Sequence, residues 1–139
     1  MTHTQIELVQ QTWKQLSGIE PILLGTTFYN RLFTLDPSLR ALFRSPIPEQ
    51  SKKLVLMLNA VIRDLDRLDD LLDDVRALGQ RHSAYGVQAG HYETVGKALL
   101  LTLEKALYPE WNEEKAQAWQ TAYDLLASAM TGVQEEAAA

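Results

Sequence analysis

The chain has 139 residues, enough for one domain with its own core, and no cysteine. The missing thiols exclude disulfides, thiolate metal sites, cysteine nucleophiles and covalent C-x-x-C-H haem attachment. A net charge of −5 without a basic block speaks against nucleic acid and anionic membranes, no apolar run reaches the roughly 18–20 residues of a membrane span, and the start lacks a signal peptide, so a soluble, cytoplasmic protein is expected.

Every long segment carries the helical period, and none alternates as a strand does. A first helix is predicted over about 4–17, opened by a Thr4–Glu7 capping box and closed by Gly18. Its inward face holds Ile6, Val9, Trp13 and Leu16. A second helix, about 20–34, has Pro21 in its first turn and Gly25, Phe28, Tyr29, Leu32 and Phe33 on one face. Asp36-Pro37 opens a short helical segment to about Leu42, followed by Phe43. Ser45-Pro46 begins a helix over about 46–65, with Leu54, Met57, Leu58, Val61, Ile62 and Leu65 on its apolar stripe.

An acidic stretch, Asp66 to Asp74, then leads into a helix ending near Tyr85. That stretch lacks the glycine and terminal glutamate of a calcium loop, so a solvated face is expected. The helix aligns Leu71, Val75, Leu78, His82 and Tyr85. Gly86 and Gly90 bracket a loop. A helix over about 91–107, apolar around much of its circumference, must be covered on more than one side. Tyr108-Pro109 ends it, and Asn112 caps a last helix over about 113–134. Its inward residues are Ala116, Trp119, Tyr123, Leu126, Ala127 and Met130. The fold class is all-α, with seven to eight helices. Periodicity alone leaves a bundle and a globin-like arrangement both open.

Three histidines bound the chemistry: His3, His82 and His91. His82 sits on a buried stripe, either as a metal or haem-iron ligand or as a core histidine satisfied by a hydrogen bond. A protein-only metal site needs three or four ligands, which His3 and His91 cannot readily complete. A single histidine suffices where a porphyrin supplies four nitrogens, so non-covalent haem b is favoured over zinc. Tyr29 and Gln50 are polar groups in register with apolar stripes. Each is either a boundary residue or a group awaiting a ligand, because a buried polar atom without a partner costs about 1–3 kcal/mol.

The run Phe28-Tyr29 with Asp36-Pro37-Ser38-Leu39-Arg40-Ala41-Leu42-Phe43 resembles the second and third helices of a globin. The block from Gly79 to Gly96, with His82, His91-Tyr92 and Val95-Gly96, resembles the proximal region of bacterial single-domain globins and flavohaemoglobin globin domains. The match extends over nearly the whole chain, and implies a single globin domain over 1–139. The resemblance makes His82 the proximal iron ligand, Phe43 a residue stacked on the porphyrin, and Tyr29 and Gln50 the distal polar pair. Leu54 becomes a distal-pocket residue. Leu78, Val87 and Val95 line the haem, His91 lies near a propionate, and Tyr92 belongs to a network beside the proximal histidine. Gln134 stands where related chains place a glutamate in that network, which implies weaker electron donation through the histidine.

Reversible binding of O₂, CO or NO is the function implied first, for oxygen delivery or scavenging. Nitric oxide dioxygenation shares the same pocket; no reductase domain is expected at this length, so turnover needs an external reductase. A haem-free helical interaction module is the third alternative. A monomer or weak dimer is expected.

Overall fold

The computed structural model describes residues 1–131. Among these residues the regular structure is helical throughout: α1 (His3–Gln15), α2 (Pro21–Leu35), the 3-10 segment Pro37–Leu42, α3 (Ile47–Arg63), a 3-10 turn Leu65–Arg67, α4 (Leu68–Ala84), α5 (Ala89–Leu107) and α6 (Glu113–Thr131). Eight helical segments agree with the all-α expectation. No helix among them is long and apolar enough to cross a membrane.

Helix boundaries follow local hydrogen-bond chemistry, with some departures from the sequence reading. The capping box forms at Thr2 and Gln5, not at Thr4 and Glu7: Thr2 Oγ1 accepts from the Gln5 N–H at 3.1 Å, and Gln5 Oε1 accepts from the Thr2 N–H at 3.0 Å. The Thr2 carbonyl accepts the first helical hydrogen bond, from the Ile6 N–H, so the helix starts earlier than the Thr4 box would place it. The other end of α1 tightens when the Leu16 N–H bonds to the Trp13 carbonyl, so the helix stops at Gln15 and Gly18 is not its left-handed cap. Asp36 acts twice: its N–H bonds to the Leu32 carbonyl, and its carboxylate accepts from the Ser38 N–H, turning α2 into the 3-10 segment. Asn112 caps α6 as expected, accepting from the Lys115 N–H at 2.9 Å.

α5 begins at Ala89, so Gly90 lies inside its first turn instead of in a loop. Asp64 ends α3 and is held by Arg63 and Arg67, whose guanidinium groups keep its carboxyl below the usual carboxylate range. Tyr85, assigned to the buried stripe of α4, is 64% exposed. It is the C-cap residue, where the backbone leaves helical geometry and the stripe ends. The last helix is described to Thr131, so its extension to 134 and Gln134 itself lie outside the described residues.

α2 packs on α3 and α5, α4 on α6, and α1 on α6. α5 is covered by both α2 and α6, as its apolar circumference requires. Leu32 and Leu103 are fully buried in this core, each worth about 1.5–3 kcal/mol relative to exposure. Two glycines permit the closest crossings. A Cβ on Gly25 would overlap Ser51 of α3, and one on Gly79 would overlap the Met130 backbone of α6. The first crossing buries Ser51 completely, one residue beyond Gln50 and outside the apolar stripe read from the sequence. These crossings hold α2 and α3 on one side and α4 and α6 on another side of a space that α5 closes.

Candidate functional site

That space is a cavity of about 490 Å³, within the range of pockets that enclose a small ligand. α2 contributes Phe28, Tyr29 and Leu32 to its walls; α3 contributes Gln50, Lys53, Leu54, Met57 and Leu58. Phe43 follows the 3-10 segment, and His82 comes from the last turn of α4. Val87, His91, Tyr92, Val95 and Leu99 line the α5 side, while α6 adds Tyr123, Leu126, Ala127 and Met130. One residue expected to line the haem departs from this set. Leu78 does not line the cavity with its side chain; its contribution is the backbone carbonyl, one helical turn before His82.

His82 Nδ1 lies 2.8 Å from that carbonyl oxygen. A carbonyl can only accept, so Nδ1 carries the proton and the neutral ring keeps its lone pair on Nε2. The helix end fixes the backbone as well. The Gly86 N–H donates to the Ser83 carbonyl and the Val87 N–H to the His82 carbonyl, both at 3.0 Å. This is a Schellman ending, with Gly86 at φ +97° as its left-handed residue. His82 and Val87 are therefore brought together at the cavity by one local motif.

His91 is held the other way round. The Gln88 N–H donates to His91 Nδ1 at 3.0 Å, so the neutral ring carries its proton on Nε2. His91 can offer an N–H to an acceptor where His82 offers a lone pair. Arg44 and Lys53 also line the cavity, and neither forms an ion pair among the described residues. Two cations and an N–H donor on the border of an apolar cavity suit the carboxylates of an amphipathic ligand. Arg44 lies on no apolar stripe and carries no signal in the sequence pattern.

Tyr29 is 5% exposed and packed among three aromatic rings. Phe28 and Phe43 meet it edge-on at 5.0 and 5.2 Å, and Phe33 stacks at 5.9 Å. Arg40 lies over the Phe33 ring at 5.3 Å and backs the cluster. Burial pushes the Tyr29 hydroxyl up to about 12, so it stays protonated at neutral pH. It forms no hydrogen bond with any described residue, and the cavity it lines is where a partner can stand. Gln50 is half-buried and its amide also faces the cavity without a protein partner. Tyr92 stands beside Tyr123, whose hydroxyl donates to the Tyr92 carbonyl at 2.6 Å.

The sequence pattern of the globin family matches residues 26–130. The chain belongs to the globin family, and its fold is the globin fold. It is 34% identical over 138 residues to a neuroglobin of Danio rerio, covering 89% of this chain and 86% of that protein. It is 28% identical over 134 residues to a flavohemoprotein of Bacillus subtilis (strain 168), covering 94% of this chain but only 33% of the longer protein. Among solved structures it is similar to an engineered carbene transferase from Rhodothermus marinus that carries the provisional designation of nitric oxide dioxygenase. That similarity has a TM-score of 0.84 and 30% identity, over 99% of this chain and 95% of the other.

Family membership implies a haem cofactor and the binding of diatomic gases. The cavity passes an independent test of that implication. It presents one histidine with a free lone pair, an unpartnered phenol within an apolar enclosure, and unpaired cations along its border. These residues can hold a haem.

Proposed function

We propose that this chain reversibly binds O₂, and also CO and NO, through non-covalent haem b held in a single globin domain over 1–139, in the cytoplasm. The observation that carries the reading is the pairing of His82, whose protonated Nδ1 leaves Nε2 free, with the unpartnered Tyr29 hydroxyl on another wall of the same cavity. When bound, haem would supply an iron centre able to bind a diatomic gas, and His82 Nε2 is the atom that would hold it. Phe43, Leu54, Val87 and Val95, which line the cavity, would keep water from it. His91, with Arg44 and Lys53, takes the propionates. Leu78 acts through its carbonyl, which fixes the His82 ring.

Tyr29 would donate one hydrogen bond to a ligand carrying negative charge in the cavity, and the Gln50 amide would donate another. The bond from Tyr29 to that charge is worth about 1.5–3 kcal/mol and the one from the half-buried Gln50 amide, where water competes, about 0.5–1.5 kcal/mol, so the pair tightens oxygen binding by roughly one and a half to three decades over an apolar pocket. The gain is expressed mainly as slow release. The test is a visible spectrum of the purified protein, ferric, ferrous and under air after reduction. A ferrous spectrum that changes on admitting O₂ and returns on removing it is expected. Purified protein that takes up no haem contradicts the reading.

Nitric oxide dioxygenation with an external reductase is the second reading. The similarities to a flavohemoprotein and to the Rhodothermus protein favour it. Sustained NO consumption with a cellular reductase, faster than autoxidation of the oxygenated protein, would place it first.

A further inference from the structure

We infer that the groove between α5 and α6 is a docking site for a basic amphipathic helix of a partner protein. The groove has a volume of about 780 Å³ and follows both helices along their length. Its lining residues recur every three or four positions, from Ala89 to Glu104 on α5 and from Glu113 to Thr131 on α6. At 1.5 Å per residue the α5 side alone runs about 22 Å, room for about four turns of a docked helix.

The floor is largely apolar and held in place. A Cβ on Gly96 would come within 2.6 Å of the Tyr123 ring, so the ring lies flat against α5 and the bare glycine keeps the floor low. The Tyr123 hydroxyl is tied to the Tyr92 carbonyl at 2.6 Å. Leu100, Leu101 and Trp111 stand half-buried beside it and offer surface to apolar anchors one helical turn apart.

The rim sets the sign of the partner's charge. Glu93, Glu104, Glu113 and Asp124 line the groove against the one ammonium of Lys97, and all five side chains are exposed. None of the four carboxylates enters an ion pair among the described residues. Nor do they converge: no group of three or more acidic or histidine side chains among the described residues could hold a metal ion. Cations spaced along a helix match this rim, and a single bound ion does not. A second copy of the chain is a poor occupant. Two such faces would oppose like charges, and Lys52, Lys53 and Arg63 on α3 are the most cations that any described helix brings. No residue of α2 or α3 lines the groove, so a docked helix leaves Tyr29 and Gln50 uncovered.

The test titrates a leucine–lysine helical peptide of about 18 residues, its leucines on one face, into the purified, isotope-labelled protein reduced under CO. Amide shifts should concentrate on Lys97, Leu100, Leu101 and Asp124. A peptide of the same composition with its lysines scattered around the helix should bind at least about tenfold more weakly. Glu104→Lys with Asp124→Lys should weaken the amphipathic peptide by about tenfold or more. Asp69→Lys with Asp70→Lys, an equal charge change in the first turn of α4, should weaken it by no more than about twofold. Shifts centred elsewhere, equal affinity for the scattered peptide, equal loss in the two double variants, or no binding at all would each overturn the proposal. Shifts in the groove that follow protein concentration without peptide would assign it to a second copy, and overturn it too.

Discussion

The two polar walls of the cavity are built differently. At the α4–α5 junction, the side chains that face the cavity are pinned by backbone: His82 by the Leu78 carbonyl and His91 by the Gln88 N–H. On α2 and α3, Tyr29 and Gln50 face the same cavity with no protein hydrogen bond, and Tyr29 is held only by surrounding rings. Pinning decides chemical character. Nine residues apart, one histidine is left with a lone pair and the other with a proton, each set by a single backbone group. The unpinned wall keeps its donors free, and free donors in a dry site are costly unless a ligand takes them. One wall is therefore complete for ligation, while the other is completed by what binds.

Breaking the pinned wall should have the largest effect. His82→Ala removes the one cavity histidine lone pair that, among the described residues, its own helix orients, and stable haem binding should be lost. The check is the Soret band of the reconstituted variant, which should return when imidazole is added. A normal band without imidazole would sink the role of His82.

Smaller effects come from the motif behind that wall. Gly86→Ala forces a side chain into the left-handed region and should cost about 1–2 kcal/mol in urea unfolding. Haem affinity should fall with it, because the same turn sets His82 and Val87. On the unpinned wall, Gln50→Leu removes a neutral amide donor worth about 0.5–1.5 kcal/mol. Oxygen release should quicken by roughly twofold to tenfold, as stopped-flow mixing would show.

The smallest effect appears only at high pH. Tyr29 titrates near 12 in the folded chain and near 10 when unfolded. Above about pH 10 the unfolded state loses a proton that the folded state keeps, so stability is full below that pH and declines towards about 12. Urea unfolding of the haem-free protein should show this decline, and Tyr29→Phe should make it shallower. Tyr92 and Tyr123, also raised by burial, leave the remaining slope.

The long helices were legible because burial imposes a 3.6-residue period, and His82 was legible as a polar residue on such a stripe. Its tautomer was not, since that depends on which carbonyl lies within reach. Tyr85 followed the same stripe and borders the cavity, yet it stays largely exposed because the helix ends beneath it. Leu78 kept the period but serves through its backbone, a distinction that periodicity does not carry. Ser51 is buried by Gly25 from a different helix, and a pair 26 positions apart leaves no local trace. Thr4 and Glu7 matched a capping pattern that Thr2 and Gln5 also satisfy in chemistry, and local sequence could not rank the two. Arg44 gained meaning only when the cavity it borders came into view.

In the proposed function the Tyr29 hydroxyl meets a bound gas from the unpinned wall. The most direct test is the oxygen dissociation rate of the wild-type protein against Tyr29→Phe, which keeps the ring and removes only the donor. Loss of one hydrogen bond to a charged acceptor predicts release faster by roughly tenfold to a hundredfold. Rates that agree within about twofold, less than the loss of even a weak hydrogen bond, would contradict it.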